Sequence, residues 1–225
     1  MGIAARKERE KEQHKEEILN AAEQVFFEKG LAQATMEEIA LRAEFSKGTL
    51  YLYYKSKEDL CMAVICRGHQ ILFTMFQEAA ATREPTVQLL ENIGQAYYSF
   101  YKRYHNYFRM FAFSENTPLH SQVSEEMSDA CAESSQKICR LVLDVIQRGK
   151  EEGTFRKEVD PFEFGVIFWS GARGIMRLMD QANLDHKCAK EFSKLNVEQL
   201  LAKSNSMLIY AILSDEARQH YQLKL

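Results

Sequence analysis

The chain has 225 residues and a formal net charge of -3, with 46% hydrophobic and 27% charged side chains. This length allows one large domain, or a small domain joined to a larger one, with enough apolar residues for a packed core. No apolar run approaches the roughly 18 residues of a membrane span, and the charged N-terminus lacks the apolar core of a secretion signal. We therefore expect a soluble, cytoplasmic protein.

The cysteine pattern is that of a protein without a disulfide framework. The number of cysteines is odd, and neither a C-x-x-C motif nor zinc-finger spacing to histidine occurs. We expect buried free thiols in a reducing cytosol, while metal ligation and redox sensing stay open as alternatives. No metal site and no cofactor are predicted. The five cysteines are Cys61, Cys66, Cys131, Cys139 and Cys188.

The first 60 residues predict three helices. Apolar residues between 18 and 26 recur at helical spacing, and Gly30 is placed to end that helix. The segment Thr35-Met36-Glu37-Glu38 fits a capping box and begins a second, short helix. Ser46 is positioned to cap a third helix that runs through Tyr54. The charged arm at residues 6–15 alternates cations with glutamates, which favours a solvated helix end over a minor-groove contact.

The remaining residues also predict helices. Ser56 and Asp59 form a second capping-box match that opens a helix running towards Ala81. Asp160-Pro161 is typical of a helix start, because Asp can cap and Pro suits the first helical position. No strand signal of comparable strength occurs, so the predicted fold class is all-α. The further helical patterns cover 89–104, a segment through 138–146 that ends near Gly149 or Gly153, 160–179 and 195–213.

Two short helices joined by a tight turn, within residues 35–55, have the size and apolar spacing of a helix-turn-helix. In such units the start of the second helix lies at base edges in the major groove. Between residues 42 and 57 the chain carries four cations and one acid, a local charge of +3 in an acidic protein. The residues at this helix start are Ser46, Lys47, Gly48 and Thr49; Tyr51, Tyr53, Lys55 and Lys57 are placed to reach phosphates.

The pattern resembles the DNA-binding domain of TetR-family transcription regulators over about residues 15 to 61. The resemblance is carried by Ile18-Leu19-x-Ala21-Ala22-x-x-x-Phe26, by Gly30, Thr35, Ile39-Ala40 and Ala43, and by Ser46-Lys47-Gly48-Thr49-Leu50-Tyr51-x-Tyr53-Tyr54-x-Ser56-Lys57-Glu58-x-Leu60. It implies DNA contacts by Thr35, Lys47, Gly48, Thr49, Tyr51, Tyr53 and Lys57. The chain departs from the family where Glu44 replaces the frequent turn glycine and where Tyr53-Tyr54 replaces the common His-Phe.

The resemblance also divides the chain. It implies a helix-turn-helix domain at 1–60 and a larger helical ligand-binding and dimerisation domain at 61–225. The apolar helices at 162–179 and 200–213 look like the helix pair with which the family dimerises, although a buried helix of a monomer is the alternative. The resemblance also implies a cavity for a small lipophilic ligand, although core packing is the favoured interpretation of its candidate lining residues. These are Tyr97, Tyr101, Tyr104, Phe108, Phe111, Trp169 and Arg173.

The function implied is that of a homodimeric repressor that binds a palindromic double-stranded DNA operator and is released by a small lipophilic ligand. One alternative is a helix-turn-helix protein without an inducer, controlled by a protein partner or acting as an activator. An all-α enzyme is disfavoured, because no G-x-S-x-G, H-E-x-x-H, P-loop or G-x-G-x-x-G motif occurs.

Overall fold

A computed structural model describes residues 2–116, 119, 122–182 and 194–223. These residues are predominantly helical, and apart from an isolated bridge between Phe155 and Leu213 they contain no strand, which confirms the all-α prediction. The helices are α1 (Ile3–Gln33), α2 (Met36–Arg42), α3 (Lys47–Tyr53), α4 (Lys57–Ala80), α5 (Thr86–Arg103), α6 (His105–Asn116), α7 (Glu125–Glu151), α8 (Pro161–Ala182), α9 (Val197–Ile212) and α10 (Asp215–His220).

The chain forms two compact units. The first comprises residues 1–70 and 105–135, and the second comprises 71–104 and 136–225. Helices α4 and α7 therefore contribute residues to both units. The functional boundary at residue 60 stays a prediction, since compactness does not show where a DNA-binding function ends.

Helix α1 contributes an apolar stripe to the core of the first unit. Its apolar residues from Ile18 to Phe26 are buried at helical spacing, whereas the charged arm before them is helical and exposed. Gly30 interrupts the helix with φ +75° and ψ 167°, a conformation that only glycine adopts without strain. The helix then resumes for one short turn to Gln33, so the predicted stop at Gly30 is a kink that precedes the end by three residues.

Both predicted caps of the helix-turn-helix are formed. The Thr35 hydroxyl accepts a hydrogen bond from the Glu38 amide at 3.2 Å, and the Ser46 hydroxyl accepts one from the Thr49 amide at 3.0 Å. The Glu38 carboxylate, however, pairs with Lys29 rather than returning to the Thr35 amide. Helix α2 packs against both α1 and α3. The short helices are therefore bounded by their own side chains and held by tertiary contact.

The turn between α2 and α3 contains a strained residue. Glu44 has φ +60°, and it is the non-glycine residue with a positive φ among those described. A side chain in this left-handed conformation costs about 1–2 kcal/mol. The turn therefore keeps the geometry for which glycine is suited, at a cost to stability.

In the second unit, α9 lies against both α5 and α8. Gly94 of α5 permits the close approach of α9, because a Cβ atom there would lie 2.2 Å from Asn205 Nδ2. The Tyr221 hydroxyl donates to Glu91 of α5 at 2.8 Å and is 3.0 Å from the Ser206 hydroxyl of α9. Small residues and a polar network thus hold α5 and α9 together.

One face of α8 is buried and the opposite face is exposed. Gly171 faces α9, where a Cβ atom would lie 3.6 Å from Leu208 Cδ1, whereas a Cβ atom on Gly174 would meet no atom within 4 Å. The exposed face carries apolar side chains at four-residue spacing, and α9 adds two more. The exposed fractions are 60% for Phe162, 49% for Val166, 54% for Ile167, 45% for Leu178, 52% for Met207 and 37% for Tyr210.

The structure refines two helix boundaries and adds one helix to the sequence prediction. Tyr104 leaves the helical conformation with φ -124° and ψ 41°, which separates α5 from α6. Of the two glycines proposed to end α7, Gly153 has φ +75°, while Gly149 is helical and packs under the Phe155 ring. Helix α10 was not predicted. The polar interval at 183–193 lies outside the described residues.

The cysteine prediction is confirmed in part. Cys61 and Cys131 are buried free thiols and Cys66 is half-buried and free, but Cys139 is exposed because it lies on the outer face of α7. Cys188 lies outside the described residues. None of the helices in the described ranges is both long and apolar enough to cross a lipid bilayer.

Replacing Glu44 by Gly is expected to raise the free energy of unfolding by about 0.5–1 kcal/mol, because relief of the left-handed strain exceeds the extra entropy of glycine in the unfolded chain. The measurement is urea unfolding followed by circular dichroism. Glu44→Gln is the matched control, since it removes the same charge and keeps the strain. Equal stabilisation by both variants would show that the carboxylate, and not the backbone, is responsible.

Candidate functional sites

The first turn of α3 presents small and polar groups. Ser46, Lys47 and Gly48 are exposed and Thr49 is half-buried. The Ser46 and Thr49 hydroxyls are 2.8 Å apart, so they also orient each other. A Cβ atom on Gly48 would have only Ser46 Oγ as a neighbour, at 3.7 Å, which leaves this surface open for a close approach by another molecule.

Helix α3 separates buried from exposed residues as predicted. Leu50 is fully buried and Tyr54 is 8% exposed, whereas the Tyr51 side chain is 44% exposed. Burial raises the pKa of Tyr54 to about 12, so its phenol stays neutral in the core. The prediction that Leu50 and Tyr54 face inward is confirmed, and Tyr51 is left on the outer surface.

Tyr53 is held by α1 through a residue that sequence reasoning missed. The His14 Nδ1 atom is 3.0 Å from the Tyr53 hydroxyl, and the His14 ring also meets the edge of Phe45 at a centroid distance of 5.0 Å. A lone histidine in a charged arm carries no sequence signal for this role. The contact fixes the position of the Tyr53 hydroxyl at the end of α3.

The cations around α3 are mostly engaged with acids of the same unit. Lys47 pairs with Glu37, and this hydrogen bond lowers the pKa of Glu37 and raises that of Lys47. Arg42 makes a two-pronged contact with Glu28 at 2.8 and 2.9 Å, which ties α2 to α1. Lys55 is exposed. Part of the local positive charge is therefore neutralised by acidic side chains of the same unit.

Lys57 has a structural contact inside the unit. Its ammonium group donates to the carbonyl oxygens of Leu31 and Ala34 at 2.8 and 3.1 Å. These carbonyls lie at the end of α1, where backbone acceptors lack partners within the helix. Thr35 is exposed and serves as the cap of α2. The contacts of Thr35 and Lys57 with DNA stay predictions.

Two of the predicted ligand residues meet in the second unit. The rings of Tyr97 and Trp169 are stacked with centroids 4.4 Å apart, and Phe76 meets the edges of both at 6.2 Å. Tyr97 is buried and Trp169 is half-buried. Three aromatic residues from α4, α5 and α8 thus form one cluster.

The other predicted ligand residues are distributed between the two units. The Tyr101 hydroxyl donates to Asp180 Oδ1 at 2.7 Å, which together with burial raises the pKa of Tyr101. Tyr104 lies beside Phe100, and Arg173 is half-buried on α8. Phe108 and Phe111 belong to the first unit. Their assignment to a ligand site stays a prediction.

A groove of about 470 Å³ lies in the second unit, and its lining includes none of the predicted ligand residues. Its apolar floor is buried or half-buried, whereas three exposed cations and one exposed carboxylate stand at its rim; one of the cations, Arg148, is paired with Glu152 at 2.7 Å. Six of the lining residues lie at helical spacing on α7, a pattern to which the sequence analysis assigned no function. The lining residues are Phe73, Ala80, Leu89, Lys137, Arg140, Leu141, Asp144, Val145 and Arg148.

Among the residues that the structure describes, no group of three or more His, Cys, Asp or Glu side chains is arranged to hold a metal ion. The described residues therefore offer a polar helix start, a set of paired surface cations and an apolar groove with charged residues at its rim.

Comparison with known proteins places this helix-turn-helix in a family. The model of bacterial regulatory proteins of the tetR family matches residues 18–64. The transcriptional repressor KstR2 of Mycolicibacterium smegmatis is 25% identical over 146 residues, which cover 65% of this chain and 69% of the relative. The transcriptional activator FasR of the same organism is 28% identical over 141 residues, covering 61% of each chain.

Solved structures share the fold. The regulator FadR from Bacillus subtilis, solved with stearoyl-CoA, is similar with a TM-score of 0.68 at 17% identity, covering 87% of this chain and 98% of FadR. KstR2 of Mycobacterium tuberculosis, described as a ketosteroid regulator, has a TM-score of 0.62 at 18% identity and covers 90% and 96%. At these identities the likeness establishes the fold alone.

Proposed function

The chain belongs to the TetR family of bacterial transcriptional regulators, and on that premise we propose that it is a homodimeric repressor released from a palindromic operator by a lipophilic ligand. The observation that carries the DNA part is the exposed start of α3, where Ser46, Lys47 and Gly48 face outward beside Tyr51. Small and polar side chains at a helix start suit base edges in the major groove.

The ion pair between Lys47 and Glu37 is compatible with DNA binding. Both side chains are at least half exposed, with 50% and 61% of their surfaces accessible. Such exposed pairs contribute little to stability, whereas a phosphate contact releases condensed counterions and gains more at low salt. Lys47 can therefore exchange Glu37 for phosphate at small cost, and Lys55 already projects into solvent.

A second copy of this chain is the proposed occupant of the exposed face of α8. The apolar residues Phe162, Val166, Ile167 and Leu178 are all at least 45% exposed, and Gly174 in the same stripe leaves room for a close helix. Met207 and Tyr210 of α9 extend the apolar area. Burial of these side chains in a dimer fits the family expectation, and two-fold symmetry pairs two recognition helices with two operator half-sites.

The ligand is proposed to be a lipophilic molecule with an acidic group, bound in the second unit. Support comes from the groove, whose apolar floor includes Phe73, Leu89 and Val145 and whose rim includes Arg140. Ligand sites are mostly apolar with a few polar groups that fix orientation. FadR of Bacillus subtilis, which shares the fold, was solved in complex with stearoyl-CoA, a molecule with a long acyl chain and an anionic phosphate-bearing end.

Helix α4 is the proposed route of coupling. Phe73 and Ala80 near its end line the groove, while Lys57 at its start holds the end of α1 beside the helix-turn-helix. A ligand that prefers one position of α4 changes the separation of the two recognition helices in the dimer. A coupling free energy of about 1–3 kcal/mol lowers operator affinity some 5- to 150-fold.

Replacing Tyr51 by Phe should weaken binding to an inverted repeat upstream of this gene at least about tenfold. One hydrogen bond to a charged phosphate contributes about 1.5–3 kcal/mol, and a dimer loses two. Binding is measured by fluorescence anisotropy at fixed salt, and transcription from the same fragment distinguishes repression from activation.

Lys57→Ala is expected to lose both affinity and thermal stability, because its two carbonyl contacts disappear.

Tyr98→Phe in the second unit is the control for the hydroxyl removal. Lys55→Gln should lower the slope of log affinity against log salt by about one per protomer, because one phosphate contact is lost in each. Normal affinity of the Tyr51 variant, or no binding of the wild type to any fragment, contradicts the assignment of the recognition helix.

Ile167→Glu should convert the dimer to a monomer. A charge buried in an apolar interface without a partner costs about 3–5 kcal/mol. Light scattering of the wild type should give twice the 26.1 kDa mass of the chain, and the variant should give one chain mass with an unchanged circular dichroism spectrum. Gly174→Leu should act similarly, since the free chain has space for the side chain.

Ala132→Glu, on an exposed position of α7, is the control for the dimer experiment and should remain dimeric. If Ile167→Glu and Gly174→Leu both keep the mass of two chains, the dimer interface lies elsewhere.

A long-chain fatty acid should raise the melting temperature and release the operator, whereas the alcohol of equal chain length should do so less. Arg140→Glu is expected to weaken the response to the acid about tenfold, because a loss of about 1.4 kcal/mol corresponds to that factor. Lys157→Glu, an exposed cation outside the groove, should respond as the wild type does. If Arg140→Glu responds to the fatty acid as the wild type does, the ligand binds outside the groove.

A further inference from the structure

A pair of thiols in the first unit has no part in the function proposed above. Cys66 and His69 lie three residues apart on α4, on the side that meets Cys131 of α7, and the Cys66 and Cys131 thiols share a hydrogen bond. The Cys131 sulfur is also 3.8 Å from His69 Nδ1, and that nitrogen is 2.9 Å from the Ser134 hydroxyl. The Ser134 hydroxyl in turn donates to the Cys131 carbonyl at 2.8 Å. Two cysteines, a histidine and a serine thus form one cluster between α4 and α7.

The two thiols differ in the way that a reactive and a resolving cysteine differ. Cys66 is half-buried, and the hydrogen bond from Cys131 lowers its pKa. Cys131 is 5% exposed, and its hydrogen bond to Cys66 together with burial raises its pKa. Burial lowers the pKa of His69 to about 4, so its imidazole is neutral at neutral pH. Reactive cysteines are accessible thiols with a stabilised thiolate, often beside a second thiol.

We infer that Cys66 and Cys131 form a redox-active dithiol, which a hydroperoxide oxidises to a disulfide that joins α4 to α7. Metal binding by the same cluster is not favoured, since no described group of His, Cys, Asp and Glu has ligand geometry. Cys139 lies further along α7 as an exposed thiol, and Cys61 is fully buried with its pKa raised to about 12.

The chemistry proceeds in two balanced steps. The Cys66 thiolate attacks one peroxide oxygen, an S–O bond forms as the O–O bond breaks, and the other oxygen leaves as an alcohol or water after taking up a proton. The Cys131 sulfur then attacks the Cys66 sulfenic acid, the S–S bond forms as the S–O bond breaks, and the departing hydroxide takes the Cys131 proton to leave as water. Two thiols are oxidised and one hydroperoxide is reduced.

The disulfide is expected to affect DNA binding because α4 is part of the helix-turn-helix support. Formation of the S–S bond replaces a hydrogen bond between the two side chains by a covalent link, which restricts the movement of α4 against α7. At its start α4 holds α1 through Lys57, and Asp59 Oδ1 accepts a hydrogen bond from the Ser124 amide at 2.7 Å. A movement at Cys66 therefore reaches the residues that position α3.

The first test follows the thiols of the reduced full-length protein during treatment with hydrogen peroxide. The expected result is a mass loss of two hydrogens per chain, followed by recovery of the peptide that links Cys66 to Cys131. Cys66→Ser and Cys131→Ser should each abolish the mass loss, and in Cys131→Ser the Cys66 sulfenic acid should react with dimedone. Cys139→Ser, the matched control on the same helix, should oxidise as the wild type does.

The second test measures DNA affinity of the same samples. Oxidation should change the affinity for the operator fragment at least about fivefold, dithiothreitol should restore it, and Cys66→Ser should be insensitive to peroxide. This arm rests on the operator binding proposed above, whereas the mass and peptide readouts do not.

The outcomes separate the two proposals. Thiols that stay reduced in peroxide, or a disulfide that joins other cysteines, overturn the dithiol assignment. A Cys66–Cys131 disulfide without a change in operator affinity overturns its regulatory role. Failure of the reduced protein to bind any fragment overturns the proposed function, while the thiol chemistry is still decided by the peptide map.

Discussion

Two hydrogen bonds from the Lys57 ammonium to the carbonyls of Leu31 and Ala34 join the end of α1 to the start of α4. Helices α2 and α3 lie in the chain between these two points. The kink at Gly30 directs the last turn of α1, and with it these carbonyls, away from the path of the preceding helix. One lysine and one glycine conformation therefore contribute to the placement of α3.

Further cations of the first unit act in the same manner. Arg42 joins α2 to Glu28 of α1, and Arg67 of α4 reaches Glu16 and Glu23 of α1 at 2.7 and 2.8 Å. This explains why residues 1–60 hold more acids than bases although they contain a DNA-binding motif. Many of the acids are partners for the cations that assemble the unit. The charge left for DNA is then a small exposed patch, so the operator binding proposed above should depend on salt and on both protomers.

Helix α4 connects the features that regulation requires. It begins at Lys57 beside the recognition helix, carries Cys66 in the first unit, and reaches Phe73 and Ala80 at the groove of the second unit. In the mechanism proposed above, the ligand, the disulfide and the operator would influence one another through this helix, since each would favour a particular position of the same element.

Local sequence determined the helices and their starts, because caps and helical periodicity are written in residues a few positions apart. Thr35, Ser46, Ser56 and Asp160 all cap as predicted, and the burial of Leu50 and Tyr54 follows from their spacing. Tertiary structure alone decided which groups meet across the chain. The contacts of His14 with Tyr53 and of Cys66 with Cys131 join residues far apart in sequence, and the groove needs three helices. Such pairings depend on packing between elements, for which periodicity within one element carries no information.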